Sequence, residues 1–553
     1  MVDRRNGRPT SRRGFLRLAG LGLALPILAA CTPAPLPSPT AAPAKPTEAP
    51  KAAAEAPKPA EPTKPAEPTK PAEATKPAVA AAAPASQPAV KGGQTVAIMG
   101  IGLSGTAHLG NYASKTPKWE QATGNKVKYI DVPFDQIFDK FRTSQAAGTV
   151  DYDVMYGAAT WEGDVFSGGL AVEVDNDVKT KLEWDDVMVM FKEVLHHWGG
   201  KTYGVPIDGD THHLNYRVDA FNDPDNQAKY KSQFGADLKA PTTWEEYYQI
   251  AKFFQNWDWD KRGKPNYGVV ETMGRSGGWS SYFYLSHASP YVKHPDDPAF
   301  HFDPDSMKPR INSPGFVRAL EDMVKSLEVG PPGMANFTVG ETLGFFIGGQ
   351  GAMQNWWSDV GSQSITNQNS ITKNKLGYSL TPGSKQVYNH RSKAWDNIPQ
   401  INYAPYLAWG GWGFWVMKSS KVREAAFDVL TYLANKENSL WDVLHPTGLN
   451  PWRYSHFKVE PWVEVGFTKE NATSYLKASS DSYEHKNKAY DLRIPATGEY
   501  YDTLESEITK AYAKQISPQQ ALDNAAALWE KITERLGRNK QIEYYRQSLN
   551  LQK

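Results

Sequence analysis

From Thr32 to Lys91 the chain contains no aromatic residue. The stretch is built from Ala, Pro, Lys, Glu and Thr, with the near-repeats Glu61-Pro-Thr-Lys-Pro-Ala66, Glu67-Pro-Thr-Lys-Pro-Ala72 and Glu73-Ala-Thr-Lys-Pro-Ala78. Such a composition cannot bury enough apolar surface to offset its conformational entropy, so it is expected to stay unfolded, and its prolines favour an extended course at about 3.1 Å per residue. Alternating Lys and Glu leave it little net charge for binding a cell-wall polymer. The chain therefore divides into a short leading part, a semi-stiff tether and a body from Gly92 to Lys553.

The leading part reads as an export signal. Ser11-Arg12-Arg13-Gly14-Phe15-Leu16-Arg17 carries a twin-arginine pair, and the apolar stretch from Leu18 to Ala30 is too short to remain as a helix across roughly 30 Å of hydrocarbon. It ends at Leu28-Ala29-Ala30-Cys31, small residues directly before the only cysteine, an arrangement that resembles a bacterial lipobox. The expected outcome is a signal peptide over residues 1–30, cleavage before Cys31, lipidation of its thiol and a membrane-anchored tether over 31–91. No cysteine is left for an internal disulfide or for catalysis, so core burial must stabilise the body.

That body is long enough for two lobes and draws on 18 Trp, 27 Tyr and 21 Phe in the whole chain. Formal net charge is +1, and no run of Lys or Arg interleaves with aromatics, which excludes a nucleic-acid surface. Thr95 to Met99, a Gly-rich loop, a segment through Trp119 and Lys126 to Asp131 read as strand, loop, helix and strand, the opening of an α/β domain. Gly100-Ile-Gly102-Leu-Ser-Gly105 matches the spacing of a dinucleotide fingerprint, with Asp131 where a ribose-binding acid would stand. Gly110 and Pro117 are expected to interrupt the helix such a site needs. The pairs His196-His197 and His212-His213 diverge on a strand, so neither metal nor cofactor is expected. No phosphate loop of the Gly-x-x-x-x-Gly-Lys-Ser/Thr kind is present.

Helical spacing recurs at Phe134, Ile137, Phe138 and Phe141, and again over Val422, Ala425, Ala426, Val429, Leu430 and Leu433. Thr243 is placed to cap Glu246, with Glu246 reaching back to Thr243. Ser517-Pro518-Gln-Gln520 opens a helix whose face is Leu522, Ala525, Ala526, Trp529 and Ile532.

The order of these features, together with Phe138 to Tyr156, Tyr203-Gly-Val-Pro206, Leu214-Asn-Tyr-Arg217, Pro241 to Glu246, Phe345 to Gln354, Gly410 to Trp415 and Gly448 to Arg453, resembles the family 1 extracellular solute-binding proteins from Gly93 to Arg535. The resemblance implies an α/β periplasmic-binding-protein type II fold, two-lobed, with a hinge and an interlobe ligand cleft. It implies one lobe from 92–208 and 405–492 and the other from 209–404 and 493–553, with crossings near Ile207 to His213, Tyr403 to Gly410 and Leu492 to Thr497. The implied role is that of a monomeric, extracytoplasmic receptor, not an enzyme, that captures a mono- or oligosaccharide and delivers it to the permease of an ABC importer.

Sugars present C–H faces and a rim of hydroxyls, so their sites need flat aromatic platforms with carboxylates, amides or guanidinium groups at the edge. Trp356, Trp357 and Asp359 follow the family's Gly-Ala-Met strand, where the resemblance places cleft aromatics, and truncating either tryptophan is expected to weaken binding without unfolding the protein. Trp409, Gly411 and Trp412 lie at the return crossing, where glycine lets the backbone approach a ligand. Thr160 and Trp161 end a first-lobe strand, the position where open α/β sheets bind ligands. Asp208 and Asp210 stand at the first crossing, Trp279 and Tyr282 in a Gly-rich second-lobe stretch, and Arg453 either bonds the ligand or braces a lobe. Core packing competes with each tryptophan's role. Two other functions fit such residues: a carbohydrate-active enzyme, which needs two carboxylates about 5 to 9.5 Å apart, and a binder of oligopeptides or amines on the same fold.

Overall fold

Residues 91–103, 108–445 and 448–551 are described by the computed structural model. The expected export signal, Cys31, the expected tether as far as residue 90 and Gly105 lie outside the described residues.

Two sheets organise the body. The first runs in the order Lys126–Asp131, Thr95–Gly100, Val154–Ala158, Trp412–Val416, Val205–Pro206, with its first three strands parallel and Trp412–Val416 antiparallel to both neighbours. Thr95–Gly100 and Val154–Ala158 are buried almost throughout, as parallel strands covered on both faces must be, which is why unbroken apolar runs mark them in the sequence. The second runs Leu376–Leu380, His212–Arg217, Gly351–Trp357, Tyr267–Val269, and only its last pair is parallel. Each sheet, with its helices, makes one lobe of a mixed α/β body.

Helix Leu109–Thr123 joins the first two strands without the expected interruption, Pro117 lying inside it. The Ala113 carbonyl, which proline cannot bond, instead accepts the Thr116 hydroxyl at 3.1 Å, and Trp119 pins the helix by donating its indole N–H to Asp428 at 2.8 Å. Asp131 accepts the backbone N–H of Leu103 at 3.3 Å. Thr243 caps the Glu246 amide at 3.3 Å, and the Glu246 carboxylate reaches back to Thr242, accepting its N–H at 2.8 Å and its hydroxyl at 2.7 Å. Ser517 caps the Gln520 amide at 3.2 Å, and the apolar face that follows is buried.

The chain leaves the first sheet after Pro206, enters the second at His212, and returns between Asn402 and Trp412. The first lobe does not extend to Leu492. Helix Lys469–Glu484 lies on the second sheet, where Asn471 donates to the Leu376 carbonyl, the Tyr378 amide donates to Ser474 Oγ at 3.2 Å, and Ser479 Oγ meets His213 Nε2 at 3.3 Å. Ala489–Tyr490 then pairs parallel with Tyr406–Leu407, so the stretch expected to cross at Leu492 to Thr497 runs beside the return crossing. Helix Thr497–Tyr512 continues from it and packs on helix Trp279–Val292.

Candidate functional site

A cavity of about 1470 Å³ opens between the lobes. The turn Phe134–Gln136 and helix Ile137–Ala147 present Phe134, Phe138 and Phe141 to it, while Val154–Ala158 ends in a tight turn that offers Thr160 and Trp161. Opposite stand Trp279 and Tyr282, at the start of a helix preceded by Ser276 and Gly277. Trp409 comes from the return crossing, and Ala496, Tyr501 and Asp502 from the last segment. Asp139, Asp164, Glu499, Arg142 and Arg535 add charge to the wall.

The aromatic rings are ordered face to face. Trp279 stacks on Trp409 with centroids 4.6 Å apart and planes 7° apart, Trp409 on Trp412 at 5.0 Å, and Trp412 on Tyr156 at 4.7 Å. Phe134 touches the first three of these rings, and Phe138 stacks on Trp161 at 4.9 Å. Trp409 has φ 61°, an unusual left-handed conformation for a tryptophan, and is followed by Gly410 at 50° and Gly411 at 109°. Such strain persists only where the surroundings enforce it, and it accompanies sites that hold a side chain in a functional position. The Trp409 indole nitrogen is buried without a hydrogen-bond partner, leaving one donor unsatisfied beside the cavity.

Thr160, Trp161, Trp279, Tyr282 and Trp409 thus line one cavity. The other anticipated residues do not. Trp412 lies behind Trp409. Trp357 backs Trp279 edge-on at 5.3 Å and donates its indole N–H to the Ala408 carbonyl at 3.1 Å. Trp356 is buried against Phe283, because all seven residues of Gly351–Trp357 are covered on both faces of the sheet. Gly411 is packed against protein and lies outside the cavity lining: an added Cβ would come within 2.5 Å of the Phe191 ring and 2.6 Å of the Asp208 carbonyl oxygen. Arg453 braces the first lobe, donating to the Leu182 carbonyl at 2.9 Å and to the Ala434 carbonyl at 2.5 Å.

Asp208, Asp210 and Asp359 form a separate buried group at the first crossing. Asp208 accepts the Asn450 amide at 2.6 Å and, with Asp210, shares the Asn450 side-chain NH₂ at 3.2 and 2.7 Å. Burial raises all three carboxyls, with mutual repulsion adding to it at Asp210 and Asp359, and Asp359 reaches about 7. Burial also lifts Glu271 and Asp491 to about 8. A carboxyl with a raised native pKa binds more protons folded than unfolded, so its contribution to stability is lost as pH rises through the native value. Buried His212 and His213, held near 3 by desolvation, act oppositely only below about pH 6.5, where the unfolded imidazoles still charge. The melting temperature is therefore expected to fall between about pH 6.5 and 8, less steeply in Asp208→Asn. A rising profile in a pH-stepped thermal melt would contradict these carboxyls' being protonated in the fold.

The helical spacing of Phe134, Phe138 and Phe141 is the one sequence signal of the cavity's phenylalanines, and such a face suits a lining as well as a core. Tyr501 and Asp502 carried none, since only the late pass beside the return crossing brings them to the cleft.

Residues 107–439 match the model of the bacterial extracellular solute-binding protein family. A probable amino-acid ABC transporter periplasmic-binding protein of Sinorhizobium fredii, y4oP, is 22% identical over 468 residues, covering 82% of this chain and 93% of its own. An ABC transporter solute-binding protein of Agrobacterium radiobacter K84, solved with ribitol, superposes with a TM-score of 0.63 at 22% identity, over 80% of this chain and all of that one. Maltose-bound MalE3 of T. maritima gives 0.60 at 20%, over 79% and 100%, and a solute-binding protein of Agrobacterium vitis S4 with D-mannitol gives 0.61 at 18%, over 80% and 99%. Matched over more than half its length and sharing the two-lobed α/β fold of these structures, the chain belongs to the bacterial extracellular solute-binding protein family.

Proposed function

We propose that this protein is the lipid-anchored receptor of an ABC importer, that it holds a sugar or polyol in the aromatic cleft, and that it presents this solute to a permease. The observation that carries the reading is the stack of Trp279 and Trp409 in a cavity bounded by both lobes, with carboxylates, guanidinium groups and an unsatisfied indole N–H around it. Flat rings suit the C–H faces of a carbohydrate and the charged rim suits its hydroxyls. A ligand touching both lobes favours their closed arrangement, the state a permease distinguishes from the open one. Binding of this kind uses no covalent chemistry. Ribitol, D-mannitol and maltose in the related structures support the same substrate class.

Thermal melts against ribitol, D-mannitol, maltose, amino acids and amines test this, since a ligand of the native state raises the melting temperature. A rise with sugars or polyols, recovered intact, is expected; cleavage of the sugar would replace the receptor by an enzyme. The name of the Sinorhizobium fredii relative favours a second reading, an amino acid as solute, and a rise with amino acids alone would adopt it. Trp279→Ala is expected to weaken the bound solute by roughly 1 to 3 kcal/mol in calorimetry, the scale of a lost stacking anchor. Cys31→Ser is expected to release the protein from the membrane fraction, and continued membrane retention would reject the anchor.

A further inference from the structure

The turn that carries Trp279 contains little to hold itself in place. Gly277 and Gly278 have φ of 70° and 96°, Gly278 offers no side chain to cap the helix Trp279–Val292, and the first amides of any helix lack intrahelical partners. Trp279 itself is only half-buried. A single residue more than two hundred positions further along answers all of these needs. Glu505, fully buried on helix Thr497–Tyr512, accepts the amide of Gly278 at 2.7 Å, of Ser280 at 3.1 Å and of Ser276 at 3.2 Å, and the Ser280 hydroxyl at 3.1 Å. One carboxylate thus fills the place of an N-cap, where negative charge also meets the positive end of the helix dipole.

These four bonds bracket Trp279, falling at 276, 278 and 280. One turn earlier on the same helix, Tyr501 lines the cavity, accepts the Ser281 hydroxyl on its carbonyl at 3.0 Å and meets Tyr282 edge-on at 5.1 Å. By contrast, the ion pair Arg275–Asp502 across the same joint is exposed on both sides at 3.5 Å, and such pairs fix little.

We propose that Glu505 is the positioning residue of the cleft: it sets the Ser276–Ser280 turn so that Trp279 stands as a platform, and it ties that platform to the helix carrying Tyr501. The proposal rests on the reading of Trp279 as a ligand platform. Glu505→Gln keeps the shape of the side chain and one good acceptor oxygen while removing the charge and an acceptor.

In the 5-fluorotryptophan-labelled protein, the Trp279 resonance is identified by its loss in Trp279→Phe. Glu505→Gln is expected to shift or broaden that resonance while those of the distant Trp259 and Trp462 stay in place. An unmoved Trp279 line would overturn the proposal, reducing Glu505 to a cap. If Glu505→Gln does not fold, Ser280→Ala, which deletes one of the four bonds, is read the same way. Ribitol, D-mannitol and maltose then serve as probes. Glu505→Gln is expected to weaken the probe that binds by about tenfold in the otherwise native protein and to have no further effect in Trp279→Ala, because residues acting as one unit are not additive. Equal losses in both backgrounds would overturn it. If none of the three probes binds, the sugar reading fails while the fluorine spectra still decide the role of Glu505.

Discussion

Trp356→Ala is expected to lower the free energy of unfolding by about 3 to 5 kcal/mol, the cost of deleting a large ring from a core that cannot collapse around the void. Trp356 is 1% exposed, packs on Phe283 with centroids 5.3 Å apart, and meets Trp357 edge-on. The affinity of the protein that remains folded is expected to stay close to native, because Trp356 lies outside the cavity. Trp356→Phe retains a ring and costs less. Denaturant unfolding paired with calorimetry separates the two effects, and a native unfolding midpoint with lost binding would return Trp356 to the cleft.

Arg493→Ala is expected to cost a similar amount, about 3 to 5 kcal/mol, through a different cause. Its guanidinium is buried, donates to the Val194 carbonyl at 2.6 Å and to the Ser548 carbonyl, and lies 3.4 Å from Glu162, which is fully buried and also accepts the His196 amide. Removing the arginine strands a carboxylate in the interior and two carbonyls without their donor. It also cuts the tie between the first lobe and the last segment: Gly163, next to Glu162, passes so close to Ile494 that an added Cβ would stand 2.2 Å from its carbonyl carbon. Glu162→Gln combined with Arg493→Met is expected to recover part of the loss, since an uncharged pair avoids the stranded charge. A loss below about 1 kcal/mol in urea unfolding would mean that water reaches this network.

The two-lobed architecture was legible because it is written in local order. Apolar runs at Thr95 to Met99 and Val154 to Tyr156, caps at Thr243 and Ser517, and the family's stretches around Phe345 to Gln354 each fix a nearby piece of backbone. Placement across long sequence separations was not. Nothing in Lys469–Glu484 states which sheet its Ala472, Tyr475 and Ser479 face will cover, and nothing near Glu505 points to Gly278. For the cleft, tryptophans were visible but their depth was not: Trp279 and Trp409 line the cavity, whereas Trp356, Trp357 and Trp412 fill the layer behind it. Composition identifies an aromatic-rich chain, and only the sheet's pleat and the strained Trp409-Gly410-Gly411 turn decide which ring faces the cavity.

Hydrogen exchange of the backbone amides, with and without whichever of ribitol, D-mannitol or maltose raises the melting temperature, tests the central claim that both lobes close on a solute held in the aromatic cleft. The account predicts added protection in three places at once: residues 134–164, residues 276–282 and residues 496–502. Protection confined to one lobe, or centred on Asp208, Asp210 and Asp359 with these three segments unchanged, would contradict it.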